Sequence, residues 1–447
     1  MKTLSATTSS LYKLAIPCIL EQLLIVSSGV LASMVMGHVG KNELTGVAMV
    51  NTLVTWLQFL FLGLGTGVTV VIGRLYGEEN HEGVKDATMQ SIYLAFYISI
   101  ALVFLCFTFS DQLLGLFFSN ADPEVMKHIK IYFPYSIVSV PFVAVNHTLN
   151  AAARGVGDNS AALVSNSIVN FLYALLAYIL IFGIRYFGYP SLSTTGTGIA
   201  VLIARIVGPF CAIILVYARK IPIFPKKIFA KSKEGYIRRI FGICTYSAIE
   251  QAVFQGGFVI LQSMLLIFGA TIQAGYQIAS TINNIFLAVV SGIAVAMTVL
   301  TSQSLARRNF DMASEIFSIA KKMFLLLLIP LGIVMFLSSP YLARVFSSEP
   351  DVISSTTTFA RVLGACFCFT AYQTITCGIL RGAGDARYIT VSCTVGLWVG
   401  RLLPVYILSK YTSAYFAVGA GLVLDFATRS LMYHLRLRKG AWIHIKV

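Results

Sequence analysis

The sequence predicts an all-α integral membrane protein of twelve transmembrane helices, arranged as two pseudo-symmetric six-helix lobes around a central cavity. Three observations carry that expectation: a charge-poor composition, apolar blocks of bilayer length, and an internal repeat. Of the 447 residues, 57% are hydrophobic and only 11% are charged. Soluble domains carry about 25% charged residues, so this composition cannot supply a water-facing surface. The apolar residues fall in blocks of about 20, enough to cross ~30 Å of hydrocarbon at 1.5 Å per helical residue. The net charge of +15 does not point to nucleic acid, because the basic residues sit in short loops between the apolar blocks. The partner they imply is a lipid bilayer.

Taken in order, the expected spans are 11–36, 46–72, 88–110, 131–153, 160–183, 196–218, 241–267, 275–301, 322–339, 359–380, 388–409 and 412–434. The first block is too long for the apolar region of a cleavable signal and lacks a small-residue cleavage site, so it is expected to be retained. An even number of spans puts both termini on one side. The termini and even-numbered loops hold 23 of the 33 Lys and Arg residues and the odd-numbered loops hold seven, which makes both termini cytoplasmic. The densest basic stretch lies at mid-chain. It contains Lys220, Lys226, Lys227, Lys231, Lys233 and Arg238, a topology signal suited to anionic headgroups. The expected organisation is therefore an amino-terminal lobe at 1–218, a cytoplasmic basic linker at 219–240, a carboxy-terminal lobe at 241–434 and a basic cytoplasmic tail at 435–447. All eight cysteines lie in apolar blocks without metal-like pairing, as small buried hydrophobes do.

The halves are related. At an offset of 229, Glu21-Gln22 falls on Glu250-Gln251, Gly46 on Gly275, Gly63 on Gly292, Thr69 on Thr298 and Asn80 on Asn309. At an offset of 227, Arg154-Gly-Val-Gly-Asp158 falls on Arg381-Gly-Ala-Gly-Asp385. Six spans per half make the repeats parallel, related by an axis along the membrane normal. Rocking of such lobes gives alternating access; a duplicated scaffold without transport is the blander alternative.

Only three acidic residues lie within the spans: Glu21, Glu250 and Asp425. An ionised carboxylate at mid-membrane costs several kcal/mol unless paired or hydrated. Asp425 has Arg429 one turn away on its own helix face and Arg401 at comparable depth in the neighbouring span, which makes a structural ion pair. Glu250 has no basic residue in its own span before Arg239, and is flanked by Gln251 and Gln255. Carboxylate and amide oxygens suit Na⁺, and a desolvated carboxylate can equally hold a proton. Glu250 and its counterpart Glu21 are the candidate cation-coupling residues, against the alternative of protonated carboxyls bonded between helices. No metal site is expected beyond Na⁺ at Glu250, and no cofactor. Gln251, Phe254, Gln255, Tyr276, Gln277, Asn283, Asn170, Asn146 and Gln373 are the candidate lining of a partly wet, aromatic cavity, although each polar one also suits a helix–helix hydrogen bond. Such a pocket is compatible with bulky cationic amphiphiles. No Walker motif occurs, so direct ATP drive is not expected, and the membrane Asp and His residues do not cluster as an intramembrane enzyme needs.

The stretches IPCILEQLL (16–24), MVMGHVG (34–40), VIGRLYGEEN (71–80), RGVGD (154–158), SAIEQ (247–251), AGYQIA (274–279) and LRGAGDARY (380–388) resemble, in order and spacing, the multidrug and toxic compound extrusion family. The resemblance implies two six-helix lobes in a V and export of drugs or metabolites driven by Na⁺ or H⁺, with the span-seven glutamate, here Glu250, in cation coupling. The chain departs from many relatives where they carry Asp: Ala32 stands in span one, Ala174 in span five and Thr370 in span ten. The expected function is a secondary-active exporter of organic cations, not an enzyme, working as a monomer in the plasma or bacterial inner membrane. The alternative is a flippase or exporter of lipid-linked saccharides or another metabolite.

Overall fold

The computed structural model describes residues 2–37, 41–118, 122–182, 193–223 and 235–445. Almost all of them are helical, and no strand occurs among them. Lys226, Lys227, Lys231 and Lys233 of the expected basic linker, and residues 446–447 of the expected tail, lie outside the described residues. In chain order the helices are α1 Lys2–Gly37, α2 Lys41–Gly77, α3 His81–Thr108, α4 Ser110–Phe118, α5 Pro123–Val138, α6 Val140–Gly155, α7 Asn159–Phe182, α8 Ser193–Ala218, α9 Tyr236–Leu266, α10 Ala270–Ala306, α11 Phe310–Met323, α12 Ile329–Phe346, α13 Pro350–Gly382, α14 Ala386–Val395, α15 Leu403–Leu408 and α16 Ala414–Arg438.

By length and apolarity, ten helices among the described residues can cross a membrane, and α5 with α6 makes an eleventh. The twelfth expected span is α16. Its 25 residues suffice in length, but Asp425 and Arg429 in its middle make it less apolar than the others. The expected span four is two helices meeting at 42°. Pro141 in the first turn of α6 withdraws an amide donor and crowds the preceding turn. Spans nine and eleven are likewise interrupted, by π-helical turns at Phe324–Leu328 and Gly396–Leu402, each followed by a proline in the first turn of the next helix. The short helix α4 falls in what the sequence reads as a loop. Proline and local turn chemistry, invisible to a count of apolar residues, account for these differences.

The chain forms two compact units, residues 24–244 and residues 1–23 with 245–447. The sequence-based lobe boundaries, 1–218 and 241–434, fall elsewhere, because the start of α1 packs in the carboxy-terminal unit. Leu11 and Ala15 join a core built from Ile282, Ile293, Met297, Phe359, Phe367 and Ile375, and Gly292 lies against the backbone of Ile19. Conversely, the first turns of α9 belong to the amino-terminal unit, where Gly67 faces the Ile240 carbonyl; a Cβ there would come within 2.8 Å of it.

The repeat is visible atom by atom. Thr69 Oγ1 donates to the Ala151 carbonyl at 3.0 Å, and Thr298 Oγ1 to the Gly378 carbonyl at 2.9 Å. Gly155 and Gly382 let the same helix pairs close up, each with the carbonyl of the matching threonine beneath it. Each RGxGD turn is made by a glycine at positive φ, Gly157 at 96° and Gly384 at 84°, a region open to glycine without strain. The aspartate that follows is held by an arginine at the end of the last helix of its own half. Arg219 Nη1 reaches Asp158 at 3.1 Å, and Arg436 Nε reaches Asp385 at 2.7 Å.

Candidate functional site

Helix α9 carries Ser247, Glu250, Gln251 and Phe254 at one-turn spacings, so they share a face. Glu250 is not alone there. Arg381, in the last turn of α13, donates from Nη2 to both carboxylate oxygens, at 2.8 and 3.0 Å. The side chains are 13% and 26% exposed, respectively. The sequence finds no basic partner for Glu250 within its own span; the structure supplies one from another helix, because α13 runs on to Gly382 and brings in the Arg381 guanidinium. Charge-assisted pairs of this geometry are the strong ones.

Asp425, Arg429 and Arg401 form a second cluster in the same unit. Arg429 donates through Nε and Nη2 to the two Asp425 oxygens at 2.5 and 2.6 Å, and Arg401 Nη2 stands 2.6 Å from Asp425 Oδ2. Asp425 is fully buried, and the arginine side chains are 4% and 5% exposed. The guanidiniums stack on aromatic faces, Arg401 on Phe426 at 5.0 Å and Arg429 on Phe254 at 5.9 Å. Gly400 lets its segment lie on Asp425; a Cβ there would sit 2.9 Å from the Asp425 Cα.

The other expected lining residues separate into groups. Phe254 touches the charge cluster through Arg429, and Gln251 and Gln255 on the same helix are half-buried. Gln373 carries a buried Oε1 without a partner among the described residues. Tyr276 is instead a core residue, packed edge-on against Phe359 with centroids 5.4 Å apart, and Asn283 is buried. Gln277 is tied to Gln262 at 2.5 Å. In the amino-terminal unit, Asn146 and Asn150 both donate to Asn166 Oδ1, at 3.4 and 3.1 Å, and Ser165 donates to Asn146 Oδ1 at 3.3 Å. This is an interhelical network of the kind that holds α6 to α7. Asn170 is half-buried on α7. Glu21 is buried, and it belongs to the same compact unit as Glu250. Sequence reasoning missed Arg381 as a site residue, and also Tyr372 Oη with His434 Nδ1 at 2.6 Å. Both join helices distant in the chain, and no local spacing signals them. No group of three His, Cys, Asp or Glu side chains able to hold a metal ion occurs among the described residues.

The MatE family model matches residues 17–179 and 247–407, one match in each half. The chain belongs to the multidrug and toxic compound extrusion (MATE) family. The matched regions contain Glu21, Glu250, Arg381 and Arg401; Asp425 and Arg429 lie beyond them. This MATE protein is similar to the probable multidrug resistance protein NorM of Thermotoga maritima, 26% identical over 433 residues, covering 97% of this chain and 92% of the relative. It is also similar to the multidrug resistance protein NorM of Vibrio parahaemolyticus, 24% identical over 454 residues, covering 98% and 95%. Among solved structures, a mutant of the Vibrio cholerae MATE transporter VcmN superposes with a TM-score of 0.90 at 17% identity over the full length of both chains. That likeness carries the MATE fold. The protein is a multi-pass membrane transporter of this family.

Proposed function

We propose that this MATE protein is a secondary-active exporter of organic cations that exchanges cargo for Na⁺ or H⁺ by alternating access, with Glu250 as the coupling carboxylate. The single observation behind this is the Glu250–Arg381 pair within an apolar helix bundle. A carboxylate clamped by a guanidinium has little attraction left for a cation, so a coupling ion must displace Arg381 to be held. Breaking a buried pair costs about 3–5 kcal/mol. Ion binding therefore requires side-chain rearrangement, which ties occupancy to conformation. Glu21 is the second candidate in this scheme, and Gln251, Phe254 and Gln255 are the nearest candidates to meet cargo. This reading puts the protein in the plasma or bacterial inner membrane, working as a monomer with both termini cytoplasmic, as the distribution of Lys and Arg supports.

The test is flux in proteoliposomes under an imposed Na⁺ or pH gradient, one at a time. Glu250→Gln is expected to abolish gradient-driven export of an organic cation while the protein is still produced and inserted. Undiminished export would remove Glu250 from the mechanism. The flippase alternative requires guanidinium groups free to hold a pyrophosphate. Of the span arginines Arg205, Arg401 and Arg429, the last two share Asp425 and so carry one surplus charge between them, while Arg205 donates to the Ser139 hydroxyl in the amino-terminal unit; no pair of them is left to hold a multiply charged pyrophosphate, so exchange of small molecules is the favoured function.

A further inference from the structure

Five charged side chains of the carboxy-terminal unit meet inside helices that the sequence places in the bilayer: Glu250 and Asp425 with Arg381, Arg401 and Arg429. They form one electrostatic cluster. Phe254, on the face of α9 that carries Glu250, lies under the Arg429 guanidinium at 5.9 Å and joins the two ion-pair groups. Within these ion pairs three guanidiniums face two carboxylates. An uncompensated charge at membrane depth is costly and marks a functional site by default.

The excess lies at the deep end of the cluster. Arg381 has its own carboxylate and is 26% exposed. Arg401 is 5% exposed and shares a single aspartate with Arg429. It uses Nη2 on Asp425, while its Nε, like that of Arg381, is buried and has no acceptor among the described residues. A buried N–H of a charged group without an acceptor is a cost that native proteins rarely leave standing. The backbone that carries Arg401 is the π-helical segment Gly396–Leu402, a distortion frequent at functional sites.

We propose that Arg401, with Arg429 beside it, binds one singly charged anion inside the carboxy-terminal unit, either a carboxylate on a transported molecule or a free inorganic anion such as chloride. The guanidinium fork suits a carboxylate or a small anion, and one surplus positive charge matches one negative charge. A pyrophosphate would bring more charge than the cluster can neutralise. The site does not depend on which cation drives export or on Glu250 acting as the coupling group.

Thermal unfolding of the purified full chain in detergent tests this at constant ionic strength. In one arm sodium chloride replaces sodium methanesulfonate, which is neither a carboxylate nor a small inorganic anion. In the other, at fixed chloride, sodium benzoate is compared with neutral benzamide. The expected result is a saturable rise in Tm of about 5 °C at a hundredfold excess of anion over its Kd. A chloride response identifies a free inorganic anion; a benzoate response absent with benzamide identifies a carboxylate of cargo. The rise should vanish in Arg401→Gln, and also in Arg429→Gln, which balances the cluster by removing the other arginine. No response to either anion in the unmodified protein, or a response that survives Arg401→Gln, overturns the proposal. If neither variant folds, the titration of the unmodified protein still decides it.

Discussion

Replacing Arg381 by glutamine withdraws the guanidinium that hydrogen-bonds Glu250 and leaves a carboxylate that is 13% exposed inside an apolar bundle. The contacts at 2.8 and 3.0 Å correspond to about 5 kcal/mol of gross attraction at an effective dielectric constant near 20. Desolvation offsets part of that, and loss of one partner from a buried pair typically costs about 3–5 kcal/mol. Arg381 is partly reached by solvent, so the lower end, about 3 kcal/mol, is expected for Arg381→Gln. Glu250→Gln should cost less, about 2 kcal/mol, because the orphaned guanidinium is the more exposed partner. The double variant removes both charges and should be less destabilised than the two single losses predict, by a coupling of about 2 kcal/mol. Denaturant or thermal unfolding of the four proteins in one detergent measures this cycle. Additivity within about 0.5 kcal/mol would show that the pair contributes nothing, and the idea that a coupling ion must compete with Arg381 would fall with it.

Asp425→Asn leaves two buried guanidiniums without their shared carboxylate and is expected to cost about 3–5 kcal/mol, read as a large drop in Tm or as loss of folded protein; a drop under 2 °C would show that the cluster is not closed in solution. Gly382→Ala forces a methyl group onto the Thr298 carbonyl where α10 and α13 meet, and should destabilise by about 1–3 kcal/mol. Gly256→Ala, in the interior of α9 with nothing within 4 Å, should be neutral or stabilising by about 0.5–1 kcal/mol. Equal unfolding midpoints for these two glycine variants would refute the close packing.

Features that are local or periodic were legible in the sequence. The spacing of Asp425 and Arg429 places them on one helical face, and they are bonded. The offsets of 229 and 227 between the halves reappear as paired contacts, Thr69 on Ala151 and Thr298 on Gly378. Features that depend on which helices become neighbours were not legible. Glu250 and Arg381 are 131 residues apart, and nothing in either segment's periodicity announces the other. Tyr276, next to a polar run, looks like cavity lining but faces Phe359, because helical phase and not sequence adjacency decides burial. The break at Pro141 was visible as a residue but not as a bend, since proline in a membrane helix can be accommodated with or without one.

The two compact units each contain the opening turns of a helix whose remainder belongs to the other: residues 2–23 of α1 in one and residues 236–244 of α9 in the other. In a symmetric dimer this would be an exchange of arms between identical protomers. Written into one polypeptide, the exchange is compulsory. A chain cut at its midpoint would part Ile19 from Gly292 and Ile240 from Gly67, so neither fragment would carry every surface that its unit packs together.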